Sequence, residues 1–171
     1  MALRKAVEAL ESGTSRASAT NETLSLYGRA LFLKGDLDNA ERVLQRATMR
    51  LPVDPLAFRH LSLTAERLGH LAIGRDALIQ YAGLMDDPET RQSAAMHIAE
   101  LSLRMNDAEL AAKWAQRASD GENQNANALG LLADAQWRLG QRDIARTTLE
   151  HALRQDPANR ALLRLRQRLG I

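Results

Sequence analysis

Two aspartates, Asp36 and Asp38, stand at the alternate spacing with which a calcium loop begins, and His60 and His97 carry the imidazole that most often binds zinc. The calcium pattern stops at once, because the next ligand place is Ala40 and no glycine follows at the step where the loop must turn. Asp36 and Asp38 are better read as negative charges capping a helix. The histidines would need further ligands for zinc, and none is evident nearby, so they are expected to be ordinary surface or interfacial residues. Cysteine is absent, which removes thiolate metal sites, disulfides and thiol nucleophiles together. No phosphate-cradling glycine-rich loop, no His-Glu-x-x-His pair and no serine in a nucleophile elbow occurs. The expectation is a protein without a catalytic site, metal or cofactor, and therefore no enzyme.

Composition narrows the partners. The 171 residues, 45% of them hydrophobic, fit one ordinary domain with a substantial core. A formal charge of +2, with the two signs interspersed, does not suggest nucleic acid, and aromatic residues make up only 4%. Among the 23 basic residues only Lys5, Lys34 and Lys113 are lysines, a bias that suits planar, multidentate contacts and equally fits codon usage. No apolar run approaches a bilayer-spanning length, and the start mixes Arg4, Lys5 and Glu8 into its apolar residues, unlike a signal peptide. The chain is expected to be soluble and, by default, cytoplasmic.

The elements that would position any site announce themselves by repetition. Arg67-Leu68-Gly69 recurs as Arg138-Leu139-Gly140, with Leu33-Lys34-Gly35 and Arg104-Met105-Asn106 as looser copies, at spacings of 34, 37 and 34 residues. Before each anchor, small or apolar residues follow at helical spacing: Leu24, Tyr27, Gly28 and Leu31; Phe58, Leu61, Ser62 and Ala65; Ala95, Ile98, Ala99 and Ser102; Leu129, Leu132 and Ala133. After each anchor a second face follows: Ala40, Leu44 and Ala47; Gly74, Leu78 and Tyr81; Ala111, Ala115 and Ala118; Ala145, Leu149 and Ala152. Each unit is thus a helix, a tight turn and another helix. Gly35, Gly69 and Gly140 fall where the first helix must stop in a left-handed conformation, and Asn106, the next best residue for it, takes the remaining turn. Asp54-Pro55, Asp87-Pro88 and Asp156-Pro157 each place a capping carboxylate before a proline near a helix start. The three extra residues of the longer spacing are expected to lengthen the connection around Asp86–Thr90.

A unit of about 34 residues, with a small residue late in its first helix, alanine early and late in its second, and proline near its end, resembles the tetratricopeptide repeat. The resemblance covers residues 21–157 and is clearest in the last unit, through Leu132-Ala133, Gly140, Ala145, Leu149, Ala152 and Pro157. The family's large aromatics on the first helix are mostly replaced, by Leu24, Ala95 and Leu129 in one column and by Leu31, Ala65, Ser102 and Gln136 in another, while Gly74 and Tyr81 stand where alanine is usual. The resemblance implies an all-α fold, a right-handed α-solenoid of stacked antiparallel helix pairs, in a protein of bacterial type. The expected units are residues 21–54, 55–91, 92–125 and 126–159, closed by a capping helix over 160–171. Residues 1–20 are expected to supply either the second helix of a preceding repeat or a native cap, followed by the Ser/Thr-rich loop Ser12–Thr20. There Ala2, Ala6, Ala9 and Leu10 copy the spacing of Ala145, Leu149, Ala152 and Leu153, and the resulting apolar stripe allows a homodimer through the terminal helices. At the other end Leu162, Leu163, Leu165 and Leu169 oppose Arg160, Arg164, Arg166 and Arg168, as a final cap requires.

The family's architecture implies that the first helices line a concave side that binds a peptide or helix of another protein. Beside the packed columns this face would collect Arg29, Phe32 and Leu33, then Arg59, Leu63, Glu66 and Arg67. Further along it would collect Met96, Glu100, Leu103 and Arg104, then Asp134, Trp137 and Arg138. Arginine, tryptophan, phenylalanine and methionine are enriched at interfaces, and carboxylates among them select a partner's charge register. For Leu33, Leu63 and Leu103, packing between units is the preferred reading. The arginines have Glu66, Glu100 and Asp134 on their own surface as an alternative to a partner, and Trp137 either anchors a partner or fills space toward the capping helix. Relatives that capture a chaperone's terminal carboxylate use lysine and asparagine on these helices, and this face has neither. The function expected is a protein-interaction scaffold; the alternatives are a docking or regulatory module of a larger enzyme or assembly, and a helical repeat that reads RNA.

Overall fold

The computed structural model describes residues 2–14, 20–120 and 125–171. Of the Ser/Thr-rich loop expected at Ser12–Thr20, Ser12–Thr14 end a helix, and residues 15–19 lie outside the described set. The described residues form ten helices and no strand. They fall into two compact units, Met1–Met85 and Asp86–Ile171. The first contains α1 (Ala2–Thr14), α2 (Asn21–Lys34), α3 (Leu37–Thr48), α4 (Pro55–Leu68) and α5 (Leu71–Leu84). The second contains α6 (Pro88–Arg104), α7 (Ala108–Ser119), α8 (Ala126–Arg138), α9 (Arg142–Gln155) and α10 (Arg160–Leu169). Within each unit consecutive helices pack as antiparallel pairs, and first helices also touch first helices, α2 on α4 and α6 on α8. The fold is all-α and of the helical-repeat, α-solenoid class.

The periodic columns are the core. Every one of those positions is buried except Tyr27 and Phe58, which are half-buried. Gly28 shows why small residues sit there: a β-carbon on it would lie 2.5 Å from Leu44 Cγ, inside van der Waals contact, and Leu44 is wholly buried. A bulkier residue would push α3 off α2 and open the unit's centre.

The four turns share one geometry. Gly35, Gly69 and Gly140 have φ of 87°, 80° and 80°, and Asn106 follows at 59°. The next residue's N–H reaches back to a carbonyl of the first helix, as Asp36 to Leu31 at 3.0 Å, His70 to Ala65 at 2.8 Å, Asp107 to Ser102 at 2.8 Å and Gln141 to Gln136 at 2.9 Å. These bonds satisfy carbonyls the helix end would otherwise leave unpaired.

Four expectations are corrected by the structure. The extra residues before Asn106 do not lengthen a loop: α6 runs 17 residues from Pro88, against 14 in α4, and the connection from α5 is only Met85–Asp87. Proline is tolerated in a first turn, so Pro88–Thr90 extends the helix instead. Asp54 and Asp87 cap as expected, accepting from Leu56 N at 2.9 Å and Thr90 N at 2.7 Å, and the Thr90 bonds hold the Asp87 carboxyl below its usual range. Asp156 does not cap α10; Asn159 does, accepting from Ala161 N at 3.0 Å, while Asp156 ends α9 and receives the Asn159 amide. Asp36 stands at the start of α3 but spends its carboxylate on the Asn39 side chain, not on backbone N–H groups. Among the described side chains of α1, Val7 and Leu10 face inward and Ala6 and Ala9 are exposed, so Leu10 keeps the place copied from α9 and the two alanines do not; the Ala2 side chain lies outside the described set. The larger apolar side chains win the buried face because they remove more area from water.

Candidate functional site

The first unit brings its share of the expected face together on α2 and α4. Arg29, Arg59 and Arg67 are exposed, and Phe32, Leu63 and Glu66 are half-buried. Phe32 and His60 approach with ring centres 6.2 Å apart, and the Arg67 guanidinium lies 4.3 Å above the Phe32 ring, a cation on an aromatic face. Burial, followed by the charges of Arg29 and Arg59, pushes the His60 pKa below its ordinary value, with Asp54 opposing. Its Nδ1 is buried without a hydrogen-bond partner. The expected packing of Leu33 between units is not found, since Leu33 is 59% exposed.

In the second unit Leu103, Asp134, Trp137 and Arg138 make contacts within the fold, in line with the packing reading of Leu103 and the space-filling reading of Trp137. Leu103 is buried against Ala111 and Ala135. Asp134 is buried on α8, and its carboxylate receives Arg138 Nε at 3.2 Å and Arg168 Nη2 at 2.7 Å. Arg138 also donates to the Leu103 carbonyl at 2.7 Å, so one guanidinium closes the end of α6 while Asp134 joins α8 to α10. Trp137 is half-buried in the cluster formed with Leu162, Leu165 and Leu169, under the Arg142 guanidinium at 3.8 Å. It fills space toward α10. Met96 is half-buried, and Glu100 and Arg104 are exposed.

Between α6, α8 and α10 an open cleft of about 430 Å³ remains. Met96, Glu100 and Asp134, three residues of the expected first-helix face, line it; Leu131, Ala161, Arg164 and Leu165 line it without having been anticipated. The available signal was the spacing of Ala161, Arg164, Leu165 and Arg168, which share one side of a helix. Gly130 lets α10 approach, because a β-carbon there would collide with the tip of Leu162. Among the described residues no group of three or more histidine, cysteine or carboxylate side chains is placed to hold a metal. No described helix is long and apolar enough to cross a membrane.

Residues 126–159, which hold α8, α9 and the turn at Gly140, match the family model described as Tetratricopeptide repeat. No curated protein sequence matches the chain. Among solved structures, YrrB, described as a TPR protein with an unusual peptide-binding site, superposes with a TM-score of 0.79 at 13% identity, covering 96% of this chain and 84% of that one. MamA gives 0.72 at 17% identity, with 91% and 83% covered. PilF of Pseudomonas aeruginosa gives 0.62 at 20% identity, with 94% and 72% covered. The chain therefore carries a tetratricopeptide repeat and has the fold of tetratricopeptide-repeat proteins.

Proposed function

We propose that the protein is an interaction scaffold that binds a segment of another polypeptide along its exposed first-helix faces, with the α6–α8–α10 cleft as one seat. The observation that carries this reading is the cleft itself: Met96, Leu131 and Leu165 are half-buried apolar side chains at the base of an open trough, with exposed Glu100 and Arg164 at its edge. Apolar floor with charged rim is the anatomy of a protein interface, in which the floor supplies area and the rim supplies register. The fold shared with YrrB, whose structure is described by its peptide-binding site, supports the same reading.

A random dodecapeptide library selected on the full chain tests it, with affinities measured by fluorescence anisotropy. Ala161→Trp puts a bulky ring into the cleft from an exposed position and leaves the core columns intact. Peptides seated in the cleft lose at least about tenfold in affinity, roughly 1.4 kcal/mol. Undiminished binding of every selected peptide removes the cleft as a seat.

A further inference from the structure

On the first unit's α2–α4 face, cations outnumber the carboxylates able to answer them. Arg29, Arg59 and Arg67 are all exposed, and among the described residues none of the three forms an ion pair. Two carboxylates stand against these three cations, and both are engaged: Asp54 accepts from Leu56 N at 2.9 Å, and Glu66 has an interaction of its own. Apolar surface lies among the cations. Phe32 and Leu63 are half-buried, and Leu33, one helical turn beyond Arg29 on the same side of α2, stays 59% exposed. Burial first, then the charges of Arg29 and Arg59, lower the proton affinity of His60 between them, with Asp54 opposing, in keeping with the clustered cations.

We infer that this face docks an acidic segment of a partner protein, with carboxylates on Arg29 and Arg59 and an apolar side chain against Leu33 and Leu63. The inference rests on the reading that the chain binds polypeptide segments, and adds the chemistry its first unit selects. Guanidinium forks match carboxylates two bonds at a time, and unpaired cations steer an acidic partner before contact. Nucleic acid fits less well. The Phe32 ring is already covered by Arg67, so it offers no bare platform to a base, and the whole chain carries only +2.

The test uses the full chain and the same displayed library at about 0.15 M salt. One enriched class places several aspartates or glutamates around an apolar residue. Its affinity falls about tenfold in the double variant Arg29→Gln/Arg59→Gln and further in Arg59→Glu. It stays within about twofold in Arg146→Glu, which makes the same charge change at an exposed position of α9 outside the cleft, and in Ala161→Trp. Unchanged circular dichroism shows that each variant is folded. The inference is overturned if no acidic class emerges, if that class survives the double variant, or if Arg146→Glu weakens it equally, since bulk charge then suffices. It is overturned in favour of RNA if a uridine dodecanucleotide binds more tightly than any acidic peptide and is lost with the same arginines. Peptides lost only in Ala161→Trp keep the cleft and remove this inference; no selected peptide at all removes both.

Discussion

Arg67 in the first unit and Arg138 in the second hold the same place in the repeat, just before leucine and the turn glycine, yet they meet opposite surroundings. Arg138 finds a carboxylate one helical turn earlier, Asp134, and is drawn with Arg168 into a bonded cluster that secures α10. Arg67 finds Leu63 at the corresponding place and turns onto Phe32. One repeat position thus serves as a structural tie in one unit and as open cationic surface in the other. The lesson is that the repeat dictates where a side chain emerges, while the residue four places away decides whether its charge is consumed at home.

The largest expected effect comes from making the second unit resemble the first. Asp134→Asn keeps the shape but removes the charge shared by Arg138 and Arg168. It should cost the second unit about 2 kcal/mol, less than a deeply buried pair would, because Arg168 is 57% exposed. A shifted urea midpoint and faster amide exchange in α10 would record it, and the freed arginines should gain measurable affinity for acidic peptides; an unmoved midpoint would show that the cluster secures nothing. The reverse experiment, Leu63→Asp, supplies Arg67 with the carboxylate that Arg138 already has. Acidic-peptide affinity should drop about threefold to tenfold by anisotropy, with about 1 kcal/mol lost from a half-buried leucine. Equal affinity would mean that Arg67 takes no part.

The smallest effect is a pH dependence confined to the first unit. Burial and then Arg29 and Arg59 lower the His60 pKa, against Asp54, so the unfolded chain takes up this proton before the folded one does. Stability contributed by the neutral imidazole is therefore whole above the ordinary value of 6.5 and is lost as pH falls below it. Denaturation midpoints measured on both sides of that value should converge in His60→Asn. A dependence that survives this substitution belongs to another group.

Most of the fold was legible in the sequence because turn residues and helical columns recur together. Gly35, Gly69, Asn106 and Gly140 punctuate faces whose members are nearly all buried, and local chemistry determines both. The added length of α6 was not legible, since spacing counts residues without saying whether a helix or a connection absorbs them. Nor was the burial of Asp134: a carboxylate beside a packed column reads as surface until Arg168, arriving from α10, encloses it. Leu103 and Trp137 were ambiguous for the same reason, because a residue beside the core is covered or bare according to what packs over it. The exposed arginines of α2 and α4 were legible as residues; that they form no ion pair among the described residues was visible only in three dimensions.

The four turns also bear on protein engineering. Because each closes through the same pair of backbone hydrogen bonds and nearly the same left-handed residue, they are interchangeable joints. Segments cut at these joints can be shuffled, duplicated or transplanted between chains of this architecture, carrying their exposed charges as detachable cassettes whose selectivity can be recombined without redesigning the hinge.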